Sequence, residues 1–310
     1  MKQIVLSIAS MLVATLAMAQ PDFHAGQTLS QVEPDYKDIN YAADDLGAHR
    51  LDIYLPKDNA PKHKVIIAIY GSAWFSNNMK GITYFSYGKP LTEAGFAVVC
   101  INHRSSTDAK FPAQINDVKG AIRFIRANAE KYNLDTSFIG ITGFSSGGHL
   151  SALAGVTNGI KTRTVGNVTV DIEGNVGGNL DQSSSVDAVV DWFGPVDMAR
   201  MENCSEPKDD KSPEAVLIGG DPRQMTDMVQ IISPVSYVAQ TEKLPPFMVI
   251  HGDADDVVPY CQSQFLSDKL QKRGVLEKFI TVSDGKHGPI TFNEETFKAM
   301  ANFFVKEANK

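Results

Sequence analysis

Short, almost wholly apolar runs recur along the chain and are separated by stretches with a helical period. Residues 64–69 read Lys-Val-Ile-Ile-Ala-Ile. A continuous β-branched run of this kind marks a strand buried on both faces, whereas a half-exposed strand would alternate. Residues 97–101, 138–142, 188–192, 247–250 and 277–282 have the same character. Upstream, 36–42 and 48–55 alternate about a polar turn and predict an opening hairpin. The clearest helical stretch is 112–132, where Ile115, Val118, Ile122, Ile125 and Ala129 share one face and charges occupy the other. Residues 259–272 and 294–306 repeat that pattern. Alternating β and α segments predict an α/β fold, a mostly parallel central sheet covered by helices on both faces. Functional loops then gather at the carboxyl ends of the strands.

Two stretches break the alternation. Residues 158–185 are rich in Gly, Asn and Thr, and alternating Val168, Val170 and Ile172 predict an inserted hairpin. Residues 202–235 carry Pro, Asp and Lys clusters with short helical pieces, a cap-like insertion. Both follow strands, where they form either the mouth of a pocket or plain surface loops. No linker or internal repeat divides the rest, so 20–310 is expected to be a single domain. The first residues stand apart. Lys2 precedes an uncharged run that ends in Ala17-Met18-Ala19, the pattern of a cleaved signal peptide over 1–19. That run is shorter than the roughly 20 apolar residues a spanning helix needs. The expectation is an exported protein, periplasmic or secreted, with no membrane attachment after cleavage.

Composition adds exclusions. The 310 residues are 43% hydrophobic and 21% charged, a balance that supports a large core and rules out a disordered chain. A net charge of −7 argues against a nucleic-acid partner. Three cysteines exclude a disulfide-dense scaffold. Cys100 ends a buried run and reads as a free thiol, while Cys204 and Cys261 lie in loop-like contexts where an oxidising compartment allows a disulfide. No His-x-His or HExxH spacing supports a metal, and no cofactor is expected.

The chemistry concentrates in Gly143-Phe144-Ser145-Ser146-Gly147, a G-x-S-x-G between a strand and a helix rich in small residues. A serine on so sharp a turn projects its hydroxyl above the sheet, and the flanking glycines relieve the crowding. Ser145 is the candidate nucleophile, and the amide of Ser146 faces the position of an oxyanion. An orienting carboxylate and a base should follow in the order Ser, Asp, His. Asp255, in the loop after 247–250, is the chosen carboxylate, because Pro259 opens the next helix and leaves Asp255 on the loop; Asp253 and Asp256 are its rivals. His287 lies in a glycine-containing loop between the last strand and the last helix and is the candidate base. His251 reads as a strand end near the carboxylate, and His149 as structural. A second oxyanion donor is expected from the loop Tyr70-Gly71-Ser72-Ala73-Trp74, from either Ser72 or Ala73. Trp74, Phe144, Trp192 and Tyr260 are the candidate pocket residues.

Together with Phe111-Pro112-Ala113-Gln114, Val190-Asp191-Trp192-Phe193-Gly194-Pro195 and His251-Gly252-Asp253-Ala254-Asp255, these motifs resemble the α/β-hydrolase esterases. Within that fold they most resemble exported bacterial proteins of the bifunctional feruloyl and acetyl xylan esterase kind. The resemblance implies the Ser145–His287–Asp255 triad and an acylated plant polysaccharide or oligosaccharide as substrate, acetyl first and feruloyl second. Departures are Tyr70-Gly71-Ser72-Ala73 where hormone-sensitive-lipase-like relatives carry His-Gly-Gly-Gly, and Asn102-His103-Arg104 where relatives often carry Asp-Tyr-Arg. Two alternatives remain: a prolyl-oligopeptidase-like serine peptidase and a non-catalytic glycan-binding module on the same fold.

Overall fold

In the computed structural model, which describes residues 32–310, the opening hairpin is β1 (Tyr36–Asn40) against β2 (Arg50–Tyr54). The expected signal segment 1–19 lies outside the described residues. Further along come β3 (His63–Ile69), β4 (Ala97–Ile101), β5 (Leu134–Phe144), β6 (Thr162–Val165), β7 (Val168–Asp171), β8 (Ala188–Trp192), β9 (Phe247–Gly252) and β10 (Leu276–Val282). Eight of these form one sheet in the order β1-β2-β4-β3-β5-β8-β9-β10. It is antiparallel from β1 to β4 and parallel from β4 onward. The helices are α1 (Lys80–Thr83), α2 (Lys89–Glu93), α3 (Ala113–Ala127), α4 (Ser146–Val156), α5 (Pro213–Ile218), α6 (Thr226–Ile232), α7 (Cys261–Lys272) and α8 (Glu294–Ala308).

The unbroken apolar runs follow from burial on both sheet faces; β10, expected to be alike over 277–282, is instead the edge strand of the sheet and only partly buried, with Glu277, Lys278 and Thr281 exposed. Val65, Ile67 and Ile69 of β3 belong to the core that also holds Ile115, Val118, Ile122 and Ile125 of α3. Ile66 and Ala68 share the other core with Met300, Phe303 and Phe304 of α8. Successive side chains of a strand point to opposite faces, so a two-sided sheet leaves no polar phase.

Two boundaries differ most from the sequence expectation. The long helix ends at Ala127, not 132; a single 3-10 turn (Glu130–Tyr132) follows, and Asn133 in left-handed geometry (φ 57°) turns the chain into the next strand. That strand, β5, starts at Leu134, not 138, because its polar start pairs with His63 and Lys64 across a register shift.

Both insertions are anchored. β6 and β7 make a separate antiparallel hairpin within 158–185. Glu173 beyond it receives Arg123 and Lys119 of α3, the Lys119 nitrogen lying 3.3 Å away. The second insertion contains α5 and α6, and a disulfide joins Cys204 to Cys261, the first residue of α7. Cys100 is a buried free cysteine whose thiol pKa is pushed up by burial.

Candidate active site

The parallel strands end at one edge, and the chemistry-bearing residues collect there. Between β5 and α4 the chain reverses at Ser145, whose backbone has φ 56° and ψ −124°, a conformation that L-residues rarely adopt. The Ser145 amide donates to Trp192 O at 2.9 Å, which ties the turn to the end of β8. Flanking glycines are required sterically. A Cβ on Gly143 would stand 2.3 Å from Gly147 O, and one on Gly147 would stand 2.4 Å from Ile69 O.

The structure brings Ser145, His287 and Asp255 into one hydrogen-bonded chain. His287 Nε2 is 2.9 Å from Ser145 Oγ, and His287 Nδ1 is 2.8 Å from Asp255 Oδ2. With Nδ1–H donating to the carboxylate, Nε2 is left to accept the serine proton. The Asp255 side chain is fully buried. Its Oδ1 accepts from the amides of Val257 (2.9 Å) and Val258 (3.0 Å). Burial pushes its pKa up, but hydrogen bonds from His251 and His287 and their attraction prevail, so the carboxyl is held well below its ordinary range. His251 Nε2 lies 3.2 Å from Asp255 Oδ2, and its Nδ1 meets Ser263 Oγ at 2.7 Å. Of the rival carboxylates, Asp253 accepts from the Asp284 amide at 2.7 Å and braces the His287 loop, while the exposed Asp256 lies on the cavity rim.

Across from this chain runs the loop after β3. The Ser72 amide donates to Ser146 Oγ at 2.9 Å and is therefore occupied. The amides of Ala73 and Ser146 have no protein acceptor among the described residues. Ala73 (φ 49°) and Trp74 (φ 62°) both adopt left-handed backbone, which turns the loop over the serine. Trp74 Nε1 donates to His149 Nδ1 at 3.2 Å, and His149 Nε2–H donates to Ile232 O at 2.8 Å. Burial pushes the His149 pKa down to about 4, so the ring is neutral and serves as a strut between the loop, α4 and α6.

A cavity of about 1160 Å³ opens over Ser145 and His287, lined also by Ser72, Ala73 and Trp74. Three expected pocket residues do not reach it. Trp192 is the last residue of β8, and strand alternation sends its side chain to the α8 face, where it lies parallel to Tyr87. Phe144 packs edge-on to Phe292 in that same core. Tyr260 turns toward β10, where its hydroxyl pairs with Thr281 and its ring stacks on Phe279. The far wall comes from Met201, the 206–209 stretch and Glu214, none of which the sequence pattern singles out as site residues. Ser212-Pro213 is a readable helix start, with Ser212 Oγ accepting from the Ala215 amide. Nothing in that signal says that Glu214 faces a cavity.

Known proteins share this architecture. The BD-FAE family model matches residues 51–270. The esterase LipQ of Mycobacterium tuberculosis is 32% identical over 228 residues, 72% of this chain and 50% of that protein. The esterase LipC of the same organism is 31% identical over 227 residues, 72% and 52% of the two chains. The chain thus spans about half the length of the curated relatives it matches. Among solved structures, a bifunctional GH43-CE protein of Bacteroides eggerthii is 62% identical with a TM-score of 0.86, covering 88% of this chain and 35% of that one. A truncated carbohydrate esterase from gut microbiota is 57% identical with a TM-score of 0.87, covering 89% and 96%.

Proposed function

This chain belongs to the BD-FAE family and has the α/β-hydrolase fold, and from that premise we propose that it is an exported serine carboxylesterase acting on acylated plant polysaccharide such as xylan. Acetyl is the first acyl group and feruloyl the second. The carrying observation is the hydrogen-bonded chain from Asp255 through His287 to Ser145 at the floor of a large open cavity. The names of the two similar solved structures, at 62% and 57% identity, support a carbohydrate ester as substrate.

In this reading Ser145 Oγ attacks the ester carbonyl while His287 Nε2 takes its proton. Asp255, ionised and desolvated, fixes the imidazole tautomer and stabilises the imidazolium. Negative charge on the carbonyl oxygen is met by the amides of Ser146 and Ala73; the Ser72 amide is already engaged by Ser146 Oγ. The imidazolium returns the proton to the leaving sugar hydroxyl, and a water activated by the same histidine then releases the acid from Ser145. Export is supported by the Ala17-Met18-Ala19 pattern and by the Cys204–Cys261 disulfide, which suits an oxidising compartment. N-terminal sequencing of protein recovered outside the cytoplasm should then begin at Gln20.

The test is acetate release from acetylated xylan by wild type and Ser145→Ala. Release that vanishes in the variant is expected. No release by wild type, with p-nitrophenyl acetate still cleaved, would overturn the polysaccharide assignment.

A further inference from the structure

The cavity is far larger than an acetyl group requires and exceeds the roughly 300–1,000 Å³ usual for drug-sized ligands. Its far wall is polar, and one residue there keeps a buried polar atom without a partner among the described residues. Glu214, in the first turn of α5, lines the cavity yet is only 6% exposed. Its Oε2 is buried and has no hydrogen-bond partner among the described residues. The neighbouring Ser212 hydroxyl pulls on the carboxyl but has its one proton engaged elsewhere. Ser212 Oγ–H donates to Asp209 O at 2.7 Å, and the same oxygen accepts from the Ala215 amide at 3.1 Å. Burial raises the Glu214 pKa, outweighing the opposing pull of its own amide, Ser212 and Lys208.

Buried polar atoms are ordinarily partnered, and a carboxyl in a cavity wall that keeps one oxygen unpartnered marks a place where a ligand hydroxyl completes the bonding. Geometry holds the group in place. The Phe111 amide donates to Leu217 O at 2.9 Å, and the disulfide ties the segment ahead of α5 to α7, which follows the Asp255 loop. A carboxyl fixed in this way is preorganised, so binding need not order it.

We infer that the Glu214 carboxyl is a hydroxyl-binding subsite that hydrogen-bonds a free hydroxyl of the ester substrate. The inference rests on the esterase reading of the same cavity. A hydroxyl both donates and accepts, so it complements the carboxyl in either protonation state. Two parts of a substrate could supply it: a sugar hydroxyl beside the acylated position, or a phenolic hydroxyl on the acyl group.

The experiment compares wild type, Glu214→Leu and Glu214→Gln by kcat/KM on four esters. These are p-nitrophenyl acetate, which has no free hydroxyl, an acetylated xylooligosaccharide, methyl ferulate, and methyl 3,4-dimethoxycinnamate, in which the phenol is masked. For a sugar hydroxyl, Glu214→Leu should lower the preference for the xylooligosaccharide over p-nitrophenyl acetate by about 10- to 100-fold, and Glu214→Gln by less. For a phenolic hydroxyl, the preference for methyl ferulate over its dimethoxy analogue should fall instead. A carboxyl serving only the helix start would lower the melting temperature and leave both preferences within about twofold, and that result overturns the inference. If Glu214→Leu does not fold, Glu214→Ala decides by the same preferences, because it too removes every polar atom of the side chain, whereas the Gln amide can keep the bond. Wild type that cleaves p-nitrophenyl acetate but neither carbohydrate nor ferulate ester overturns the esterase reading and the subsite together. Wild type active on the xylooligosaccharide, with preferences unmoved in both variants, overturns the subsite alone.

Discussion

On one side of the cavity Ser145, Asp255 and His287 are carried by the loops that leave β5, β9 and β10, whereas the opposite wall, 201–214, is carried by loops and the six-residue α5. The first side is positioned by β5 and β9, which are buried on both faces, by the part-buried edge strand β10, and by glycines packed against backbone. The second depends on a disulfide, a short cap and a few backbone contacts. The difference separates two tasks. Acyl transfer needs atoms placed to a few tenths of an ångström, and a close-packed sheet supplies that rigidity. Substrate choice can be altered by changing an insertion without disturbing the sheet.

The comparison can be broken first on the sheet side. Asp255→Asn should keep the fold but reverse the hydrogen bonding that sets the His287 tautomer, lowering kcat on p-nitrophenyl acetate by about 10⁴. Steady-state kinetics with circular dichroism as a fold control reads this out. On the wall side, replacing Cys204 and Cys261 together by Ser should reduce stability by about 2–4 kcal/mol in denaturant titrations. The same variant should lose more kcat/KM on an acetylated xylooligosaccharide than on p-nitrophenyl acetate; equal losses would mean that the wall does not choose the substrate.

Smaller effects sharpen the picture within the sheet side. Ser146→Ala removes the acceptor that holds the Ser72 amide at 2.9 Å, so the loop carrying Ala73 loosens. A loss of about fivefold in kcat is expected, the size of one ordinary hydrogen bond. The least change concerns Asp191, a buried residue whose Oδ1 accepts from the Gly194 amide at 3.0 Å and whose Oδ2 has no partner among the described residues. Burial pushes its pKa from 3.8 up to about 7. The folded protein then binds the extra proton, so this contribution to stability is complete below about pH 4 and is lost as pH rises through about 7. Asp191→Asn should remove it. Urea midpoints at pH 5 and pH 8 should therefore differ less in the variant than in wild type.

Much of the sheet was legible because its inner parallel strands are largely apolar runs, and the boundaries of β4 and β8 are those the runs predict. The same property hid the direction of side chains. In Ala188-Val-Val-Asp-Trp192 every position is buried, so the sequence carries no phase to say which face Trp192 takes, and it lies away from the cavity. Ser145 was legible because glycines on both sides of a serine between strand and helix report a tight turn. That the Ser72 amide is occupied was not, since this depends on a contact 74 residues away in sequence, with Ser146 Oγ. Glu214 was hidden for a related reason: a helix start looks the same whether its acidic residue faces water or a cavity.

The most direct test of the central claim is intact-mass and peptide-level analysis after reaction with a fluorophosphonate, which phosphonylates a serine activated by its own base with loss of fluoride. The account predicts a single adduct on the peptide containing Ser145, absent in Ser145→Ala and strongly slowed in Asp255→Asn. An adduct elsewhere, or one that persists in Ser145→Ala, would contradict it.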